Sequence, residues 1–181
     1  MRLLNIEMLN KNFGGLRAVV DFNMTIDESE IVGLIGPNGA GKTTVFNLVT
    51  GMLPLTSGKI EFKGQSLIGL QPHAVARRGI ARTFQNIRLF KHMTVLDNVR
   101  SVIRSGVGYG MGDALLHSGR FSASETKITE KARDLLSALN LDSRESALAS
   151  SLPYGDQRRL EIARALALEP ELLMLDEPAA G

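Results

Sequence analysis

The residues best suited to chemistry in this sequence are Gly36, Pro37, Asn38, Gly39, Ala40, Gly41, Lys42 and Thr43, with Thr44 directly after them. A glycine, four residues and then Gly-Lys-Thr is the spacing of a loop that wraps phosphate. Glycines let the backbone turn tightly and aim successive N–H groups at an anion. Lys42 brings a positive charge to β and γ phosphates, and the Thr43 hydroxyl suits Mg²⁺. The expected ligands are therefore ATP and Mg²⁺. A glycine-rich turn with no ligand is the bland alternative, and the flanking pattern argues against it: an apolar run precedes the loop and a helical run follows it.

A phosphate site also needs a group to hold the metal and a group to orient water. Asp176, after the apolar run Leu172-Leu173-Met174-Leu175, supplies a carboxylate of the first kind, and Glu177 follows at once. Adjacent residues at a strand end point in different directions, so Asp176 can face Mg²⁺ while Glu177 faces the attacking water as general base. Standing alone, the two would read as a solvated acidic pair. A third feature is the turn Leu152, Pro153, Tyr154, Gly155 and Asp156, which leads into a helix extending to Leu166. A helix start presents N–H groups and a positive dipole end to an anion. An ordinary helix start accounts for it equally well.

The elements that must position these residues follow from hydrophobic periodicity. Leu4, Ile6 and Met8 alternate with polar neighbours, as do Val20, Phe22, Met24 and Ile26, and Lys59 to Phe62 is a shorter run bounded by Gly58 and Gly64. These predict an antiparallel β layer. Ile31 to Ile35 is apolar without alternation, the pattern of a strand buried on both faces, and Leu172 to Leu175 reads the same way. Together they predict two central parallel strands. Thr43 to Val49 predicts a helix ending at Gly51, Ile80 to Phe84 a strand, and Met93 to Arg104 and Glu125 to Leu139 two helices. The second has Ile128, Ala132, Leu135 and Leu139 on one stripe. The glycine-rich segment from Ser105 to Ser124 reads as a mobile connection.

Composition narrows the class. At 181 residues and 44% hydrophobic, the chain can bury a sizeable core. Its formal charge of +2 is spread without a basic run, so no nucleic-acid partner is expected. The lack of cysteine excludes disulfides and thiolate metal sites and suits a reducing, cytoplasmic compartment. His73, His92 and His117 lack the paired spacing of metal ligands. No apolar stretch approaches the roughly 20 residues of a membrane span, so a membrane role is expected to come through a partner.

In this order, the loop at 36 to 43, the motif at 152 to 166 and the Leu-Leu-Met-Leu-Asp-Glu-Pro run resemble the Walker A, signature and Walker B motifs of ABC-type ATPases. The resemblance spans the whole chain. It implies an α/β fold with a parallel core sheet like that of P-loop NTPases, an N-terminal antiparallel β layer and an inserted helical lobe. Residues 1–85 would form the nucleotide-binding core with its β layer, 86–151 the lobe, and 152–181 the signature helix and the Walker B strand returning to the core. The resemblance gives Phe13, 29 residues before Lys42, the role of the aromatic that stacks on adenine. It gives Gln85 that of the glutamine contacting Mg²⁺ or water. By composition alone Phe13 is a core or loop residue and Gln85 a solvated one.

The resemblance further implies that two such subunits pair, each ATP lying between the Walker A loop of one and the signature turn of the other. Their closing and opening would drive transmembrane permease subunits, the pair sitting on the inner face of the cell membrane. The segments Ile80 to Phe90 and Met93 to Val99 and the end Glu177 to Gly181 are similar to the ATP-binding subunits of branched-chain amino-acid importers, whose complexes include a periplasmic binding protein. Lipopolysaccharide exporters are the alternative, since their subunits share much of the stretch from Pro72 to Ile80.

Two departures stand out. The signature usually begins Leu-Ser-Gly-Gly-Gln, and here Pro153 replaces the serine, removing both its donors and a charge-assisted contact worth about 1.5 to 3 kcal/mol. Pro153 still suits a first helical turn. In the family, a further strand with a switch histidine follows Walker B, and none of the three histidines stands there. The chain is therefore expected to be a piece of a longer protein, with a nucleotide-binding but hydrolytically incomplete remnant as the other reading.

Overall fold

The computed structural model describes residues 1–103 and 119–177. They belong to two compact units, Met1–Ile80 and Ala81–Gly181. The architecture is α/β, with an antiparallel layer, a small parallel sheet and helices.

In the first unit, β1 (Arg2–Phe13) and β2 (Leu16–Asp27) form a long hairpin, and β3 (Ser57–Phe62) and β4 (Gln65–Ser66) extend the sheet in the order β2-β1-β3-β4. The predicted alternation fails midway along both long strands. Ile6 pairs with Met24 but Leu9 with Phe22, so β1 carries an extra residue; from Leu9 to Lys11 the partner steps from Phe22 to Val19, so β2 carries the next. The extra residues coincide with Met8 and Asp21, both at φ 46°. A bulge shifts the faces by one. Met8 is consequently exposed while Leu9 is buried, and Val20 is exposed while Val19 is buried, correcting the faces expected for Met8 and Val20.

Polar side chains stitch the bulges: Met8 N–H donates to Asn23 Oδ1 at 2.8 Å, and Asp21 N–H to Asn10 Oδ1 at 3.1 Å. On the neighbouring strand a Cβ at Gly58 would lie 2.7 Å from Leu9 Cα, so the bulged backbone admits only glycine beside it. Leu4, Ile6, Leu9, Ile60 and Phe62 from the sheet are buried, as are Val45, Leu48 and Val49 of α1 (Lys42–Val49) and Val75 of α2 (Pro72–Arg77).

The segment Ile31 to Ile35 corrects a second expectation. It forms no strand, and Ile31 and Ile35 are 100% and 94% exposed. An apolar run becomes a buried strand only where neighbours supply both ladder partners and covering faces, and the four-stranded sheet has no place for it. The parallel pair is instead β5 (Ile80–Arg82) with β6 (Leu172–Met174). β5 is shorter than expected, ending before Thr83 and Phe84.

The second unit is mainly helical: α3 (Val95–Arg100), α4 (Gly119–Ala138) and α5 (Tyr154–Leu166). Thr94 starts α3 by accepting the Asp97 N–H at 3.0 Å. Val95, Val99, Ala132, Leu136, Leu141, Leu152, Leu160 and Ala163 share one core. Leu136 replaces Leu135 as the centre of the α4 stripe; Leu135, Leu139 and Ile128 are only partly buried. Residues 119–124 are helical rather than a connection, and 105–118 lie outside the described residues. Buried Asn98 ties the approach to α3: its Nδ2 donates to the Phe90 and Thr94 carbonyls, and its Oδ1 accepts the Phe90 N–H at 3.0 Å. Among the described residues, no helix is long and apolar enough to cross a membrane.

Candidate functional site

In the first unit the chain leaves β2, passes Gly36 to Ala40 and turns into α1 at Gly41. Gly41 is the N-cap residue, left-handed at φ 84°, and makes no side-chain cap. The first turn of α1 has no acidic residue either. The opening N–H groups of the helix and its positive dipole end are thus not spent on a side chain of their own, which is what an anion site requires. A Cβ on Gly41 would sit 2.5 Å from the Ala18 carbonyl oxygen of β2, so close packing on the sheet and positive φ both demand glycine. Lys42 donates through Nζ to the carbonyls of Gly36 at 2.6 Å and Pro37 at 2.9 Å, tying the helix to the start of the loop. Pro37, Asn38, Gly39, Ala40 and Thr43 are exposed, and Thr44 is half-buried.

Ala18, Val19, Leu34, Ala40, Lys42 and Val45 border a cavity of about 240 Å³ beside the loop. That is below the roughly 300–1,000 Å³ of an enclosed ligand pocket. Phosphate would therefore be met by an open loop. Phe13 ends β1 and is 45% exposed, with Lys11 Nζ 4.9 Å from the centroid of its ring. Such an aromatic can offer a face to a base.

The second unit brings together residues far apart in sequence. Asp176 is buried and Glu177 exposed, the divergence expected at a strand end. Arg82 Nη2 donates to Asp176 Oδ2 at 2.8 Å, with both side chains almost wholly buried. The Asp176 N–H donates to Thr83 Oγ1 at 3.2 Å. Glu177, at φ 50°, receives Gln85 Nε2 on its Oε2 at 3.4 Å. Gln85 and Glu177 thus meet across 92 positions of sequence. Among the described residues no cluster of three or more His, Asp or Glu could hold a metal by itself. Thr43 in the first unit and, separately, Asp176 and Gln85 in the second each carry a hard oxygen donor of the kind Mg²⁺ prefers.

The signature turn divides in two. Pro153, Tyr154 and Gly155 are exposed, and a Cβ on Gly155 would meet nothing within 4 Å. Leu152 is packed into the helical core, and the buried Asp156 is held by Arg159 and by Arg144 Nε at 3.1 Å. Two guanidiniums on that carboxylate offset a negative charge that would oppose an anion at the helix start. Pro153 occupies the N-cap, one position before the first turn, and its carbonyl accepts the N–H groups of Asp156 and Gln157, each at 3.0 Å.

The periodicity of the sequence assigns no role to Arg82, Thr83, Arg158 or Glu161. Arg158 and Glu161 are buried charges on α5. Arg158 donates to the carbonyls of Phe84 and Gln85, each at 2.6 Å, and Glu161 accepts the Phe84 N–H at 3.2 Å. The available signal was charge on an apolar stripe: positions 158, 161 and 165 share a helix face.

The family described as ABC transporter matches residues 19–180. The high-affinity branched-chain amino acid transport ATP-binding protein LivG of Escherichia coli is 46% identical over 99% of this chain and 70% of its own length. The lipopolysaccharide export system ATP-binding protein LptB of Escherichia coli is 36% identical over 100% of this chain and 69% of its own. A crystal structure of an ABC transporter's ATP-binding cassette in its ADP conformation superposes with a TM-score of 0.82 at 31% identity, covering 100% of this chain and 70% of that one. These matches place the chain: it belongs to the ABC transporter family as an ATP-binding, ATP-hydrolysing subunit closely related to LivG.

Proposed function

We propose that this chain is the motor subunit of an importer for branched-chain amino acids, and that residues 36–44 bind its ATP. In this reading Phe13 stacks on adenine, while the loop N–H groups and Lys42 hold the β and γ phosphates. Thr43, Asp176 and Gln85 would hold Mg²⁺, which would neutralise charge on the transferred phosphoryl group. Glu177 accepts a proton from the attacking water as its oxygen bonds to the γ phosphorus; the bond to the β-phosphate oxygen breaks, leaving ADP and phosphate. Gln85 orients that water beside Glu177. The observation that carries the reading is the 3.4 Å approach of Gln85 Nε2 to Glu177 Oε2, between two groups that would serve one water molecule.

The remaining contacts come from a second ATP-binding subunit, whose turn at 152–156 would cover the γ phosphate. Residues 1–85 then serve as the nucleotide-binding core and 86–151 as the lobe facing the permease, while 152–181 carry the signature helix and the Walker B strand that returns to the core; the pair sits on the inner face of the membrane and a periplasmic binding protein delivers substrate. The greater identity to LivG than to LptB, 46% against 36%, favours import over export. Purification of the full-length protein with its native membrane partners tests the assignment. Recovery of an amino-acid importer permease is expected; recovery of an export permease alone would overturn it.

A further inference from the structure

Gln85 lies beyond the end of β5, where no ladder bond fixes it. The four residues Arg82 to Gln85 are instead held from two sides. On the Walker B side, Thr83 N–H donates to the Met174 carbonyl at 3.0 Å, Thr83 Oγ1 accepts the Asp176 N–H, and Arg82 pairs with Asp176. On the signature side, Arg158 spreads its fork over two successive carbonyls, Nη1 to Phe84 and Nη2 to Gln85, each at 2.6 Å. Glu161 closes the arrangement by accepting the Phe84 N–H at 3.2 Å and Arg158 Nη1 at 3.3 Å.

Both side chains are largely buried, 10% and 7% exposed, and a buried ion pair is weak evidence of stabilisation for its own sake because desolvation offsets its attraction. What this pair accomplishes is geometric. A planar guanidinium binding two consecutive carbonyls fixes the orientation of the peptide carrying Gln85, which a single-point ammonium cannot do.

We infer that Arg158 and Glu161 are positioning residues: they fix the backbone of Phe84 and Gln85 to the signature helix, so that the helix and the Gln85–Glu177 pair move as one piece. The inference rests on the roles proposed above for Gln85 and Glu177. Whatever displaces α5 at its exposed start then shifts Gln85 relative to the attacking water. The coupling runs through main-chain bonds and needs no contact between the signature turn and Glu177.

The test is a double-mutant cycle in the full-length protein, with ATP as the probe, reading kcat and KM for hydrolysis, ATP affinity by calorimetry and Tm. Arg158→Gln is expected to lower kcat at least tenfold while ATP affinity stays within about twofold. Arg158→Lys, which keeps charge and stem but loses the fork, is expected to recover little of that loss and guards against a folding defect in the first variant. Combined with Gln85→Ala, Arg158→Gln is expected to add nothing to the loss of Gln85→Ala alone, because both act through one group. Unchanged kcat in Arg158→Gln, full rescue by Arg158→Lys, or additive losses would overturn the inference. A silent Gln85→Ala would instead refute the reading of Gln85 on which it rests.

Discussion

The phosphate loop and the carboxylate corner solve opposite problems with different materials. On the proposed reading the loop in the first unit would offer backbone N–H groups to a highly charged ligand, and it is built from residues that stay out of the way: Gly41 at φ 84° without a side-chain cap, and Lys42 folded onto the carbonyls of Gly36 and Pro37. The corner in the second unit must hold side chains in fixed positions. It is built from buried charge, with Arg82 on Asp176 and Arg158 with Glu161 on the backbone of Phe84 and Gln85. A backbone site fails when a side chain is added, and a charge-built site fails when one is removed.

That contrast can be broken from either side. The largest loss of stability is expected from Arg82→Ala, which leaves the Asp176 carboxylate buried without its guanidinium and should cost about 3–5 kcal/mol. Chemical denaturation checks it, and adding Asp176→Asn should return part of the loss; an unchanged midpoint in Arg82→Ala would mean that the pair does not organise the corner. Gly41→Ala should act on the loop, where the new Cβ meets the Ala18 carbonyl and the positive φ is strained by about 1–3 kcal/mol. The expected result is ATP binding weakened by roughly tenfold to a hundredfold, at about 1.4 kcal/mol per factor of ten, read by calorimetry. Wild-type affinity would show that the loop tolerates a side chain after all.

The smallest effect sharpens the contrast by showing what exposed charge does in the second unit. The hydrogen bond from Arg133 holds the half-buried Glu145 below its ordinary pKa of 4.5. A depressed carboxylate stabilises the fold above its unfolded pKa, and the contribution fades as pH falls through the folded value. Arg133→Ala should therefore leave the thermal midpoint at pH 3 unchanged and lower it slightly at pH 7. A larger loss at pH 3 than at pH 7 would contradict the assignment.

How much of this could be read from the sequence follows from the same contrast. A backbone turn leaves local marks, so the helix that follows Gly36 to Gly41 was legible from spacing alone. The antiparallel layer was legible from period-two alternation, but the faces of Met8 and Val20 were not, because a bulge costs one residue and leaves only scattered Asn10, Asp21 and Asn23 as its sign. The run Ile31 to Ile35 misled because apolarity says what a segment would tolerate, whereas a strand also needs partners. The carboxylate corner was half legible. Asp176 and Glu177 follow an apolar run, but Arg82 and Arg158 act across 94 and 73 positions of sequence, a range that local periodicity does not reach.

On the proposed reading, nucleotide binding belongs to the loop of the first unit and turnover to the Gln85–Glu177 pair of the second. A paired titration of ATP affinity and phosphate release on Lys42→Ala and Glu177→Gln in the full-length protein tests it most directly. Lys42→Ala is expected to lose most of its affinity, whereas Glu177→Gln is expected to bind ATP as the unaltered protein does and to release no phosphate above background. Normal phosphate release by Glu177→Gln, or undiminished affinity in Lys42→Ala, would contradict it.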